Sequence, residues 1–171
     1  MKLVLMMMPM LYAIAICRAQ SDDRSTRIEA EYYVAADAEH YGVPVALVRA
    51  IVQLESNWRA YSVSPKGAVG RMLLPPVTAH RLGVSDPCNP AQNVSGAGGV
   101  RYLAWLMNRL HDDLRLAAAA CCAGEDRINK RGLSCRNSVV VAYVSRVRTA
   151  YLGETEIEPG RCKAPERRDV R

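Results

Sequence analysis

The chain has 171 residues, and half of them are apolar, which is enough to build one domain with a real hydrophobic core. Its formal charge of +6 is mild for this length. No basic stripe with interleaved aromatic residues occurs, so the composition argues against a nucleic-acid partner.

Residues 1–19 have the composition of an export signal. Lys2 precedes an apolar run that ends at Ile16, and the small residue Ala19 precedes a polar stretch. This pattern predicts a signal peptide cleaved after Ala19, and hence a periplasmic or secreted protein. A membrane anchor is the alternative, but the run is short for a span. A lipoprotein site at Cys17 is disfavoured by the bulky Ile16.

Cleavage there would also remove two cations, Lys2 and Arg18, and would leave a formal charge of +4 (6 − 2). Such a charge suits an anionic polymer such as a cell wall.

Beyond Cys17 the chain has five cysteines, and an exported protein meets oxidising conditions, so disulfides are plausible. Adjacent Cys121 and Cys122 are not expected to bond each other, and either is a candidate partner for Cys135. No metal-ligand spacing appears among the cysteines or among the scattered histidines, which are His40, His80 and His111. We expect neither a metal nor a cofactor.

The first two helices are marked by their end signals. Thr26 to Glu29 forms a capping box that opens a helix, and this helix is predicted to stop at Tyr41 and Gly42. Pro44 is predicted to start the next helix as a first-turn proline.

That second helix ends at a carboxylate. Leu47, Ile51 and Leu54 recur at helical spacing, and Glu55 follows where the apolar pattern breaks. A carboxyl group there is expected to be half desolvated and near the negative end of the helix dipole. Both effects raise its pKa, which a general acid working near neutral pH requires. The alternative is an ordinary helix-end acid with its head in water.

The middle of the chain is predicted to alternate loops and helices. Residues 59–69 form a loop, and a helix begins near Val77 and runs to Gly83, because consecutive prolines at 75 and 76 cannot lie inside a helix. A strong amphipathic helix covers residues 102–110. Trp105 flanks its apolar face and is expected to pack in the core, with stacking on a ligand as the alternative.

The last third is predicted to contain two more helices. Alanines dominate the helix at residues 113–120, a basic turn follows at 127–132, and the final helix covers 139–151. From Gly153 the sequence is polar and is expected to be disordered.

Several motifs in order resemble the soluble lytic transglycosylase family, whose fold is similar to goose lysozyme. They are Glu55-Ser-Asn-Trp58, Ser64-Pro-Lys-Gly-Ala68, the stretch 70–79 and Tyr143-Val-x-x-Val147. The resemblance implies an all-α, lysozyme-like single domain of about six helices at residues 25–152. The signal peptide at 1–19 precedes it and the polar tail at 153–171 follows.

The resemblance also implies a reaction. Glu55 would protonate the glycosidic oxygen between N-acetylmuramic acid and N-acetylglucosamine in peptidoglycan. It would then take the proton of the sugar 6-hydroxyl, which attacks the anomeric carbon and leaves a 1,6-anhydromuramyl end. Tyr143 would approach Glu55, and Ser56 would orient the acid or serve as a helix-end hydrogen bonder.

The sequence departs from the family pattern in the cleft. Met72 is retained, but Leu73 stands where the family has Gln. Cys121 and Cys122 stand where it has the Tyr and Asn that help to hold the sugar. All four are candidate substrate-binding residues.

These departures keep two further hypotheses open. One is a catalytically impaired wall-binding or secretion-assembly protein, because Leu73, Cys121 and Cys122 replace three polar cleft groups at once. Small exported members of the family often serve a cell-envelope secretion machine, so the resemblance also implies such a machine as a candidate partner. The other is a plain hydrolysing muramidase, which would need a positioned water or a second carboxylate, for which Asp86 is the candidate.

Overall fold

Helices dominate the parts of the chain that the computed structural model describes, namely residues 26–93, 98–131 and 137–157. The helices of these ranges are α1 (26–41), α2 (Val45–Ser56), α3 (Pro76–Leu82), α4 (Pro90–Asn93), α5 (Gly99–Arg109), α6 (Leu114–Ala123), α7 (Glu125–Arg131) and α8 (Ser138–Ile157). Within the same ranges, β-pairing is limited to isolated bridges between Val63 and Val69 and between Val69 and Leu74. The all-α prediction is confirmed, with eight described helices where about six were expected.

The boundary between α1 and α2 depends on a left-handed glycine. Gly42 has φ +67°, and the next amide, of Val43, donates to the Ala38 carbonyl at 2.8 Å. Pro44 is the N-cap of α2, one position before the predicted first turn. At the other end Asn57 adopts φ 52° and closes α2, so that the chain leaves the helix directly after Glu55 and Ser56.

The core is formed where α2 packs against α8 and where α6 packs against α5, α7 and α8. The apolar face of α2 is buried almost completely, as its periodicity predicts. Four consecutive alanines, residues 117–120, are also buried, and their small side chains let neighbouring helices approach closely. Every helix of the described ranges is too short or too polar to cross a lipid bilayer.

Two predictions about the last third of the chain were wrong. Residues 127–131 belong to α7 and not to a turn, because Ile128 is buried in the core and Glu125 and Asp126 suit the first turn of a helix. The final helix also continues past Gly153 to Ile157, helped by an ion pair between Arg49 and Glu154 at 3.9 Å. Residues 158–171 of the expected tail, and the signal segment at 1–19, lie outside the described ranges.

The prediction for Trp105 was wrong as well. Leu103 and Leu106 are fully buried and fill the core face of α5, whereas Trp105 is 43% exposed. A helix turns by about 100° per residue, so a side chain two positions after Leu103 points away from the face that Leu103 buries. Trp105 instead stacks on Tyr102, with ring centroids 6.1 Å apart.

The start of α6 provides a test of local stability. The Asp113 carboxylate accepts hydrogen bonds from the backbone amides of Arg115 at 2.9 Å and Leu116 at 3.3 Å. Replacing Asp113 by Ala is expected to lower the free energy of unfolding by about 1 kcal/mol, the usual cost of losing an N-cap. Urea denaturation at pH 7 measures this, and Asp113→Asn, which keeps a capping oxygen, should stay near wild type.

Candidate active site

Four helices and one loop enclose a cleft of about 310 Å³. α2 contributes Glu55, α6 and α8 contribute one wall, and the loop before α3 with the first turns of α5 contributes the other. The lining comprises Ile51, Glu55, Ser64, Lys66, Ala68, Met72, Leu73, Leu74, Pro75, Gly99, Tyr102, Cys121, Cys122 and Tyr143. Glu55 is the only carboxylate among these residues.

Glu55 is paired with a tyrosine from the far end of the chain. The Tyr143 hydroxyl donates a hydrogen bond to Oε1 of Glu55 at 2.6 Å, across 88 positions of sequence. Burial raises the pKa of Glu55 above its ordinary value, while the Tyr143 hydrogen bond and the positive charge of Arg146 act in the opposite direction. Burial and the neighbouring Glu55 charge also raise the pKa of Tyr143, so that its hydroxyl stays protonated and remains a donor.

The two adjacent cysteines of α6 form part of the cleft wall. Cys121 is partly buried, and burial followed by the charge of Glu55 raises the pKa of its thiol to about 12. This thiol is therefore neutral at pH 7. Cys122 lies on the exposed side of α6 and also lines the cleft. Cys135, the suggested disulfide partner of either residue, lies outside the described ranges, and that pairing stays a prediction.

The loop that carries Met72 and Leu73 is held by one buried side chain. Asn93 is 1% exposed; its Oδ1 accepts from the Met72 amide at 2.9 Å, and its Nδ2 donates to the Val69 carbonyl at 3.2 Å. No role for Asn93 follows from its local sequence. A single asparagine in a turn is far too common a signal to indicate such a long-range bond.

Close packing against glycines fixes the position of Met72. A Cβ atom on Gly99 would lie 2.1 Å from the Met72 sulfur, so a larger residue there would force the flexible end of the Met72 side chain to move. Leu73, next in the chain, takes a left-handed conformation with φ 42° and reaches the cleft. Met72 is 8% exposed and therefore contributes to the core as well as to the cleft lining.

Two candidates from the sequence are not brought to the cleft. Ser56 is buried, and its hydroxyl donates to the Val52 carbonyl at 3.2 Å, which is the helix-end hydrogen bond weighed as its alternative role. Asp86 accepts a hydrogen bond from the Cys88 amide at 2.9 Å and is exposed. Asp86 is not among the residues that line the cleft, so it does not supply a second carboxylate beside Glu55.

The geometry suits proton transfer to and from a ligand in an open groove. Glu55 is a half-buried carboxyl with a raised pKa, and a protonated phenol fixes one of its oxygens. The remaining carboxyl oxygen is the natural site for exchanging a proton with a substrate.

The chain also resembles known proteins in sequence and structure. Residues 32–138 match the transglycosylase SLT domain. Over 77 residues the chain is 43% identical to membrane-bound lytic murein transglycosylase F 1 of Alkalilimnicola ehrlichii. The matched segment covers 45% of this chain and 15% of that protein. Over 68 residues it is 43% identical to membrane-bound lytic murein transglycosylase F of Vibrio cholerae, covering 40% of this chain and 12% of that protein. The chain thus matches only a small part of these longer relatives.

The structural likeness extends further along the chain than the sequence identity. An inactive Glu-to-Gln mutant of lytic transglycosylase Slt from Pseudomonas aeruginosa superimposes with a TM-score of 0.63 at 20% identity, over 78% of this chain and 24% of that one. At that identity the likeness concerns the fold alone, which is lysozyme-like, as the motifs predicted. Since the domain match spans well over half of the chain and includes both Glu55 and the Met72 loop, the chain belongs to the transglycosylase SLT domain family.

Proposed function

We propose that this protein is a peptidoglycan lytic transglycosylase, which cleaves the β-1,4 bond between N-acetylmuramic acid and N-acetylglucosamine and leaves 1,6-anhydromuramyl ends. The observation that carries the proposal is the carboxyl group of Glu55. It is half-buried in a cleft, its pKa is raised by burial, and the Tyr143 hydroxyl holds it at 2.6 Å. Membership of the SLT family supports the same substrate class.

In the proposed mechanism, Glu55 acts first as an acid and then as a base. Its protonated carboxyl gives a proton to the glycosidic oxygen as the bond to the anomeric carbon breaks, which releases the leaving sugar as an alcohol. The carboxylate then accepts the proton of the 6-hydroxyl while that oxygen bonds to the same anomeric carbon. Glu55 ends protonated, so the cycle needs no second carboxylate, cofactor or metal.

Tyr143 positions Glu55 in both steps. Its hydroxyl donates to the carboxylate when the proton has left, and a hydrogen bond to a charged acceptor is stronger than one to a neutral acceptor. This interaction keeps the pKa of Glu55 from rising as far as burial alone would raise it. A carboxyl that is too basic would be a poor proton donor, so the pair balances the two roles.

The other proposed sugar contacts are the loop and α6 residues of the cleft wall: Met72, Leu73, Cys121 and Cys122. Three of them replace polar groups of the family pattern with apolar or weakly polar ones. The wall is therefore proposed to hold the sugar by shape and apolar contact, with fewer hydrogen bonds. We further propose that residues 1–19 are removed on export and that residues 25–152 form the catalytic domain. The protein is proposed to act in the periplasm or outside the cell, with a cell-envelope secretion machine as a partner.

The products of digestion test this proposal. The mature protein is incubated with purified peptidoglycan beside Glu55→Gln and Glu29→Gln, the latter an exposed acid on α1. Mass spectrometry should show anhydromuropeptides from wild type and Glu29→Gln but not from Glu55→Gln. Reducing-end products would establish hydrolysis instead. An absence of products from folded wild-type protein that still binds the wall would favour an impaired binding protein.

The pH dependence of catalysis should respond to Tyr143. The hydrogen bond from Tyr143 lowers the pKa of Glu55, so Tyr143→Phe should raise that pKa further. Because the acid must start protonated, the alkaline limb of kcat/KM should move to higher pH. The rate at neutral pH should fall about tenfold or more, since a hydrogen bond to a charged group contributes about 1.5–3 kcal/mol.

Tyr151→Phe provides the matched control, because Tyr151 lies two turns further along α8 and does not line the cleft. Its profile should equal that of wild type. If Tyr143→Phe leaves the alkaline limb in place, the proposed coupling of these two groups is wrong.

A further inference from the structure

A second depression of about 450 Å³ adjoins the cleft of Glu55. α3, α5 and α7 form its walls, and its lining includes Val77, Arg81, Glu125 and Arg127. Tyr102 lines both depressions. The two depressions therefore have Tyr102 as a common wall residue, which places the second depression next to a polymer held in the cleft.

Four side chains from three helices form what we call the Arg81 platform: Arg81, Tyr102, Trp105 and Glu125. Arg81 makes a two-pronged ion pair with Glu125, with both N–O distances 3.2 Å. Its guanidinium carbon also lies 5.9 Å from the ring centre of Tyr102 and 5.8 Å from that of Trp105. The Tyr102 hydroxyl donates to Oε2 of Glu125 at 3.3 Å.

The platform is ordered but not buried. The Arg81 side chain is 54% exposed, and Trp105 is 43% exposed. Exposed ion pairs contribute little to stability, so the stability of the fold gives little reason for fixing these groups. Groups fixed in advance lose less conformational entropy when a ligand arrives, which is the usual advantage of a pre-organised binding surface.

The charges of this depression favour an uncharged ligand. Arg81 and Arg127 are balanced by Glu125 and Asp126 within the same lining, so the formal charge of these four residues is zero. An acidic peptide would meet two carboxylates there as well as two cations. A sugar offers hydroxyls to both kinds of charged group, and its C–H face can lie against an aromatic ring or against the exposed Val77.

We propose that the Arg81 platform is a distal glycan-binding site, which takes an uncharged N-acetylhexosamine unit of the same strand that Glu55 cleaves. The proposal rests on the function proposed above. In it the sugar lies against Tyr102 and the Arg81–Glu125 pair, and sets which part of a strand reaches Glu55. Arg81 is thus a positioning residue for long substrates and not a catalytic one.

The chain's two tryptophans provide a readout that does not depend on activity. Trp105 belongs to the platform, whereas Trp58 is 5% exposed in the core and serves as an internal reference. The Glu55→Gln protein is titrated with oligomers of β-1,4-linked N-acetylglucosamine while the indole N–H signals are followed by NMR. A hexamer should shift the Trp105 signal and leave that of Trp58 in place, and a dimer held in the cleft should shift Trp105 much less.

Two variants test whether hexamer binding at Trp105 depends on the Arg81–Glu125 pair. Arg81→Ala and Glu125→Gln in the same background should each weaken hexamer binding about tenfold, as expected for the loss of one hydrogen bond to a charged group, and leave dimer binding unchanged. Arg27→Ala is the matched control, since Arg27 also pairs with a glutamate, Glu31, and lies 5.2 Å from the ring centre of Trp58. It should bind like the parent protein.

The outcomes separate this proposal from the proposed function. Loss of hexamer binding in both platform variants supports the site, even if no anhydro product is ever found with wild type. The site is overturned if wild type gives anhydro products while the hexamer binds equally tightly to the parent protein and to both platform variants. The catalytic proposal would then stay intact. A Trp105 shift produced by free stem peptide but not by the hexamer would also overturn it, in favour of peptide binding.

Discussion

Glu55→Gln is expected to reduce kcat for glycan cleavage by roughly 10³-fold or more. Positioned general acid–base catalysis contributes about 10²–10⁴-fold, and in the proposed mechanism one group performs both transfers. Glutamine keeps the size of the side chain and can still accept the Tyr143 hydrogen bond, so the cleft should keep its shape. Release of soluble muropeptides over time measures the effect, with Glu29→Gln as the matched control.

A measurement of stability separates loss of chemistry from loss of fold. Burial raises the pKa of Glu55 in the folded state, so a protonated Glu55 favours the folded state and its ionised form at higher pH is unfavourable. Near pH 7 the uncharged Gln should therefore melt at or above the temperature of wild type, and any difference should shrink as pH falls below the ordinary carboxyl pKa. A folded Glu55→Gln protein that keeps a tenth of wild-type activity would contradict the assignment of Glu55 as the acid.

Gly70→Ala is expected to be the most destabilising of the single substitutions considered for this chain. Gly70 has φ +88°, and a Cβ atom there would lie 2.0 Å from the Pro87 carbonyl oxygen and 2.4 Å from Nδ2 of Asn93. The loop cannot yield without breaking the hydrogen bonds through which Asn93 holds Met72 and Val69. A loss of about 3 kcal/mol is expected, from the backbone strain and from the steric overlap together.

Gly67→Ala separates these two causes. Gly67 has φ +76° in the same loop, but an added Cβ atom would meet nothing within 4 Å. The Gly67→Ala variant therefore has the left-handed backbone strain without the steric overlap. Its free energy of unfolding is expected to fall by only about 1 kcal/mol. Thermal melting should show a decrease of roughly 2–4 °C for Gly67→Ala and roughly 6–12 °C for Gly70→Ala. Equal decreases would mean that Asn93 does not lock the loop as described.

The loop that Asn93 locks connects stability with the proposed function. Met72 and Leu73 reach the cleft because Gly70 and Gly99 let the loop lie close to Asn93 and to the start of α5. Partial release of the loop should therefore weaken substrate binding before the protein unfolds.

Most of the helices, and the place of Glu55 in the last turn of α2, can be read from the sequence alone. Periodicity and end signals are local: the capping box of α1, Gly42 and the buried face around Ile51 act within one or two turns, so they can be read along the chain. The position of Glu55 at a broken apolar pattern predicted its raised pKa for the same reason. The family resemblance added the lysozyme-like fold and indicated Tyr143 as the partner of Glu55.

The packing of the helices sets which of these residues share a site. Tyr143 meets Glu55 because α8 packs on α2, and Cys121 joins them because α6 packs on α8. Local pattern also misjudged Trp105 and residues 127–131. Whether a large apolar side chain is buried, or a charged segment is helical, depends on which neighbours cover it. Those neighbours come from distant parts of the chain, such as Arg81 above Trp105, and their arrangement is a property of the packed fold.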